Sequence, residues 1–299
     1  MKNTVFIHTN SKQMVGAIVG RYSLKRNSLN PDAFDVRITA QEDFPVFAEF
    51  EGRKFLRGGN WRVWKNADLQ SFTPVRFMPP EIMGYEGRAI VIDPDVFAVG
   101  DVNRLFDMDM QGKSVFAKPR PGHKGHAHYV ASSVMLLDCA RLRHWNVKQQ
   151  FEQMFAGELD YEEWIELRKE PVEMIGHLES FWNDFDRLAP DTQLIHNTKR
   201  RTQPWKSGLP IDFTNRPSMV LRLLGISGYR KKGTYLPHPD PRQEQFFFGL
   251  LKECVDAGEI TEAQIREEMA RNHVRHDALE VMKAAPSVDD LLGEVRKAA

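Results

Sequence analysis

A strand-length apolar run, Thr4 to His8, opens the chain. It is followed by Val15, Ile18, Val19 and Tyr22 at helical spacing, and then by a second strand pattern from Phe34 to Thr39. Strand, helix and strand in that order make a crossover unit, and alternating elements favour an α/β layer on a mostly parallel sheet. Ligands of such sheets sit beyond the carboxyl ends of the strands. Further strands are expected at Ala89 to Ile92, Ser114 to Lys118, Ser132 to Asp138 and Gln193 to His196, with a helix around Trp145 to Phe155.

The strand at Ala89 to Ile92 runs directly into Asp93-Pro94-Asp95. Burying an unpaired carboxylate costs several kcal/mol on the order of, so two carboxylates one residue apart call for a cation, a proton or open water. Pro94 has no N–H for a central ladder, so the strand should stop there and release both acids at its end. His196 closes a later strand and is followed by the cations Lys199, Arg200 and Arg201. Two carboxylates with one imidazole suit Mn²⁺, and Mg²⁺ less well, with coordination positions left for phosphate oxygens. Asp93, Asp95 and His196 are thus candidate metal ligands, and the neighbouring cations would share phosphate charge.

The 41 Lys and Arg balance 41 Asp and Glu, which removes the basic field of a general nucleic-acid binder. Cys139 and Cys254 are far apart and suggest neither a disulfide framework nor a thiolate zinc site. No stretch approaches the roughly 18 apolar residues of a membrane span. The expectation is a soluble cytoplasmic protein without a transmembrane segment. From Pro237 the composition changes: His-Pro-Asp-Pro breaks the chain, and Phe246, Leu250, Leu251 and Cys254 mark a helix ending near Gly258. Thr261 and Gln264 have capping-box spacing for another, running to about Ala285. Residues 1–236 therefore read as the ligand-binding domain and 237–299 as a C-terminal helical extension, an open route to oligomers. The charged faces at Arg266, Glu267, Glu268 and Arg271 read as solvated surface.

Several motifs occur in a telling order: Val5-Phe6-Ile7-His8-Thr9-Asn10, Val75-Arg76-Phe77-Met78-Pro79-Pro80, Ile92-Asp93-Pro94-Asp95, Val134-Met135-Leu136-Leu137-Asp138 before Trp145, Trp182-Asn183, and Leu194-Ile195-His196 before Pro204-Trp205. Over residues 4 to 212 the chain resembles the glycogenin-like family-8 retaining glycosyltransferases. That resemblance implies a Rossmann-like, A-type nucleotide-sugar-binding domain and transfer of a hexose from a UDP-sugar to a carbohydrate or small-molecule acceptor. It implies Mn²⁺ on Asp93, Asp95 and His196. It also implies donor contacts at His8, Thr9, Asn10, Arg76, Asp93 and Ser132, with the Thr9-Asn10 turn at the uridine end; one of Lys199, Arg200 and Arg201, in a loop that departs from the family, is left to take over the diphosphate, with Lys199 and Arg201 as the candidates.

The sequence departs from the family in three places. Ala131-Ser132-Ser133 stands where the family has Asn-Ser-Gly, which removes its usual sugar contact. Lys199 and Gln203 replace the family's glycine and its lysine before Pro-Trp, in a loop one residue longer. The family's Asp-Gln-Asp is absent, and Glu170 and Glu173 are the nearest acids to serve at the sugar. Other features carry further expectations. His123, His126 and His128 form a glycine-flanked loop that could touch substrate. Trp61, Trp64, Phe72 and Phe77 read as packing, and Arg230, Lys231 and Lys232 as a basic turn that could meet an anionic acceptor. Two alternatives stay open: an Asp-nucleophile phosphatase of haloacid-dehalogenase type, and a non-catalytic nucleotide-sugar-binding scaffold.

Overall fold

The apolar opening run becomes β1 (Asn3–Thr9), an inner strand buried along all but its first residue. A strand covered on both faces needs apolar residues at successive positions, which is why the run does not alternate. The computed structural model describes residues 2–68, 71–213 and 233–297, and the chain divides into two compact units: 1–187 with 191–196, and 188–190 with 197–299.

The first unit is mixed α/β. After β1 come β2 (Phe34–Ala40), a hairpin of β3 (Lys54–Arg57) and β4 (Asn60–Val63), β5 (Arg88–Ile92), β6 (Val96–Ala98), β7 (Val115–Pro119), β8 (Val130–Asp138), β9 (Ile175–His177), β10 (Asp184–Phe185) and β11 (Leu194–His196). Six strands form one sheet in the order β2-β1-β5-β8-β7-β9. β1 pairs parallel with β2 and β5, and β7 with β9; β8 runs antiparallel to both its neighbours. The sheet is therefore parallel-rich, with a single reversed strand inside it. Side-chain alternation splits the core into two layers. Phe6, Val91, Val115 and Met135 face an aromatic layer with Phe47, Trp64, Phe151 and Trp164, while Val5, Ile7, Ile90 and Leu136 face Ala17 and Leu24 of the helix Met14–Arg26.

The expected helix near Trp145 is Val147–Ala156, capped by the Asn146 side chain. Trp64, Phe72 and Phe77 are packing residues as expected, whereas Trp61 on the hairpin is 54% exposed.

The second unit contains the helices Pro241–Asp256, Glu262–Ala270, Ala278–Ala284 and Val288–Lys297. The Thr261–Gln264 capping box forms as the sequence suggests. The helix it starts stops at Ala270 rather than near Ala285, because Asn272 adopts a left-handed backbone (φ 59°) and the chain turns before the next helix. Pro237, where the sequence places the start of the extension, lies inside this unit. Among the described residues no helix is long and apolar enough to cross a membrane. Arg230, Lys231 and Lys232 lie outside the described residues.

Candidate functional site

The site grows from two strand ends. β5 stops at Ile92, and the Asp93 N–H donates to Ser133 O (3.0 Å) while Val96 N–H returns to Asp93 O (3.2 Å), so Asp-Pro-Asp makes a tight turn into β6. β6 pairs antiparallel with β11 in a second, three-stranded sheet, with His196 opposite Val96 and therefore beside Asp95. That register brings residues far apart in the sequence into one cluster. One ligand atom each from Asp93, Asp95 and His196 lies within 4.8 Å of the others.

Each member is held by partners. His8 Nε2 and Arg76 Nη2 approach Asp93 Oδ1 at 2.8 and 2.7 Å. Arg76 Nη1 donates to Ser132 Oγ (2.6 Å), which itself donates to Ile165 O (2.5 Å). On the other side His196 Nε2 stands 3.2 Å from Asp95 Oδ1, and its Nδ1–H donates to Asn183 Oδ1 at 2.9 Å. Asn183 is fully buried and its Nδ2 donates to Ser133 Oγ (3.0 Å). A ring whose Nδ1 carries the proton presents an Nε2 lone pair, the arrangement of a metal-ligating histidine.

The charges follow this geometry. Burial works against ionisation of Asp93, but the Arg76 guanidinium and His8 outweigh it and hold the carboxyl well below the usual carboxylate range. Burial lowers the His8 imidazole despite the pull of Asp93. His196 is also buried, yet Asp95, then Asp93 and Asp186, raise it above the ordinary imidazole value. Among the described residues His8 Nδ1 and Arg76 Nε are buried without a protein partner. The donor set, two carboxylates and one oriented imidazole around a common point, fits a divalent cation of the Mn²⁺ or Mg²⁺ kind.

Not all expected residues join the cluster. Thr9 ends β1 and Asn10 follows it at the same sheet edge, but Asn10 Oδ1 accepts from Lys12 N–H (3.1 Å) and caps the turn Ser11–Gln13. Ser132 is committed to Arg76 and Ile165. Lys199 and Arg201 belong to the second unit, where both are exposed around the turn Arg200–Thr202. Glu170 is taken up by Trp145 Nε1 (2.7 Å) and His144 Nε2 (3.0 Å). Glu173 is exposed just before β9, at the edge opposite the metal cluster, since β9 runs parallel to β7 and β7 runs in the direction of β5. His123 packs on Tyr129 (4.6 Å), and among the described residues the three loop histidines are not in a group placed to share an ion.

Sequence reasoning missed Asn183 as the residue that orients His196, although the Trp182-Asn183 pair was visible. It also missed Lys118, Arg120 and Phe185 around the same edge. Lys118 stood in the sequence as the polar end of an apolar strand, which was the available signal.

No protein-family model matches the chain, and no curated protein matches it. Solved structures do. Galactosyltransferase LgtC in complex with donor and acceptor sugar analogues is 16% identical over 68% of this chain and 89% of its own, with a TM-score of 0.46. The apo-form glycosyltransferase GlyE of Streptococcus pneumoniae TIGR4 is 13% identical over 87% of this chain and 64% of its own, with a TM-score of 0.49. Mouse xyloside xylosyltransferase 1 is 14% identical over 66% of this chain and 97% of its own, with a TM-score of 0.42.

Proposed function

We propose that this protein is a metal-dependent retaining glycosyltransferase of the A-type, nucleotide-sugar-binding fold, moving a hexose from a UDP-sugar to a carbohydrate or small-molecule acceptor. The observation that carries the reading is the convergence of Asp93, Asp95 and a tautomer-fixed His196 at the carboxyl edge of a parallel-rich sheet. Mn²⁺ or Mg²⁺ held by these three residues would neutralise charge developing on a departing diphosphate.

The chain's own groups have distinct tasks in this reading. Arg76 and His8 keep Asp93 ionised and fixed, and Arg76 adds positive charge beside it. Asn183 keeps the His196 lone pair directed at the cluster. His8, Thr9 and Asn10 stand at the end of β1, beside the strand that carries Asp93, as the nucleotide end of the donor would require. The short Lys199-Arg200-Arg201 run follows His196 in the chain and is our choice for further phosphate contact. Cys139 and Cys254 are both buried and not joined in a disulfide, which suits a reducing compartment such as the cytoplasm.

The phosphatase alternative asks Asp93 to attack phosphorus. Its Oδ1 is instead engaged by both Arg76 and His8, which lowers its nucleophilicity. The scaffold alternative predicts binding without turnover. The test is calorimetric titration of UDP and UDP-hexoses with and without Mn²⁺ in the parent, Asp95→Asn and His196→Ala proteins, followed by proton NMR of the product anomer. Mn²⁺-dependent UDP binding that both substitutions abolish is expected, with the donor's anomeric configuration kept. UDP binding indifferent to Mn²⁺ and to both substitutions overturns the reading.

A further inference from the structure

β8 runs antiparallel to both β5 and β7, so β7 points in the same direction as β5. Lys118 and Arg120, at the end of β7, therefore leave the sheet at the edge from which Asp93 and Asp95 emerge. The β7–β8 register breaks between Ala117 and Lys118: Ala117 pairs with Met135, but Lys118 pairs with Ala131. Such an irregularity re-aims the side chains beside it and is common next to binding sites. The residues of β8 skipped by this break include Ser132 and Ser133, whose hydroxyls bond Arg76 and Asn183.

Both cations converge on one ring. Lys118 Nζ lies 4.1 Å and the Arg120 guanidinium 5.1 Å from the Phe185 centroid, and the same ring meets the His196 imidazole edge-on at 5.5 Å. Lys118 Nζ also donates to Asn183 O (2.8 Å), the residue that orients His196. Both side chains are half-buried, and among the described residues neither forms an ion pair with a carboxylate. Asp184, the acid that acts on Lys118, is itself bound by Arg187 (2.7 Å) and Thr192 (2.8 Å). Two adjacent, partly desolvated like charges are unfavourable until an anion joins them.

We propose that Lys118 and Arg120 form a subsite for an anionic group, a carboxylate or a phosphate, on one of the two sugars that meet at the metal cluster. The inference rests on the glycosyltransferase reading and names the charge class of its substrate. The Phe185 ring neighbours both the cations and His196, which sets the subsite beside the cluster; contact with the diphosphate instead would show as a loss of UDP affinity.

The experiment compares two pairs of probes at saturating Mn²⁺. In the donor arm, UDP-glucuronate and UDP-glucose are titrated into the parent, Lys118→Met and Arg120→Met proteins. In the acceptor arm, glucose 6-phosphate and glucose are titrated into the UDP- and Mn²⁺-loaded proteins. UDP alone is the control throughout, and circular dichroism verifies folding; Lys118→Arg serves as a charge-preserving variant should Lys118→Met unfold. In one arm the parent should bind the charged probe at least about tenfold tighter than the neutral one, the size of one charge-assisted contact. The methionine variants should erase that preference and leave UDP and the neutral probe unchanged. No preference for charge in either arm overturns the proposal, as does an equal loss for UDP alone, which would place the cations on the diphosphate. Absence of Mn²⁺-dependent UDP binding in the parent would instead remove the glycosyltransferase reading itself.

Discussion

His196 Nδ1 donates to Asn183 Oδ1 across 2.9 Å, and Asn183 passes the constraint on to Ser133 Oγ at 3.0 Å. The imidazole is thus positioned by β8, a strand it does not belong to. Replacing Asn183 with Ala leaves the ring free to rotate and to exchange tautomers, while all three acidic and imidazole donors remain. Mn²⁺ affinity should fall about 10- to 100-fold, the usual cost of losing the hydrogen-bond partner of a ligating histidine. Calorimetric Mn²⁺ titration without nucleotide measures this directly. Parent-like affinity would show that Asn183 serves packing alone.

Arg76 does the corresponding work for Asp93. It bridges Asp93 Oδ1 and Ser132 Oγ, and both ends of the ion pair are largely buried, 9% and 19% exposed. Removing one partner of a buried pair leaves the other charge without compensation, at about 3–5 kcal/mol. His8 still contacts Asp93, so Arg76→Met should lose about 3 kcal/mol in urea denaturation, the low end of that range. Arg76→Lys should recover part of it, since an ammonium reaches one partner but not two. A loss of under about 0.5 kcal/mol, the level of an exposed pair, would mean that Asp93 is satisfied by His8 alone.

The carboxylates were legible because an apolar run that ends in Pro has to release whatever follows it, and Asp93 and Asp95 do leave β5 there. The meeting of Asp95 with His196 was less legible. It depends on β6 and β11, strands of three residues each, whose antiparallel register no periodicity announces. The same limit hid Lys118, which reads as the tail of an apolar strand until the register break beside it is seen. Asn10 and Ser132 show the opposite difficulty, since polar residues at the right edge are used by the protein's own caps and networks. Glu170 was the nearest acid in sequence, but Trp145 Nε1 and His144 compete for its carboxylate, and sequence distance says nothing of such partners.

Asp160 gives a pH dependence away from the site. Its carboxylate accepts from the N–H groups of Gly58 (3.0 Å), Gly59 (2.8 Å) and Glu162 (2.8 Å), tying the hairpin turn to the start of the helix Tyr161–Ile165. Burial opposes ionisation, but the backbone donors win and lower the acid. A folded value below the unfolded one means that the stabilisation is complete above the unfolded carboxyl value. It is lost as the pH falls through the folded value. Asp160→Asn keeps the shape but loses the charge and one acceptor oxygen, so it should cost about 1 kcal/mol at pH 7, the difference between a charged and a neutral hydrogen bond, and flatten the acid limb of the stability profile. Urea midpoints measured from pH 7 down to acid test this; an unchanged acid limb would remove Asp160 from the account.

The helix Pro241–Asp256 tests the division of the chain. Phe246, Phe247 and Phe248 are all buried, and Phe247 stacks on Trp205 with centroids 4.7 Å apart. Gly249 lies against Pro286 O and Val288, so the following helices close over the same core. The segment is hydrophobic substance of the second unit, not an appendage laid on it. A chain ending at residue 236 would leave Trp205 uncovered, and burying one large aromatic side chain contributes on the order of 3 kcal/mol. The truncated protein should therefore precipitate or elute as soluble aggregate, whereas removal of only the last helix, Val288–Lys297, should lower the melting temperature of a still-soluble protein. Size-exclusion chromatography with light scattering distinguishes the two. A monodisperse 1–236 fragment that retains Mn²⁺-dependent UDP binding would show instead that the helices fold as a detachable module.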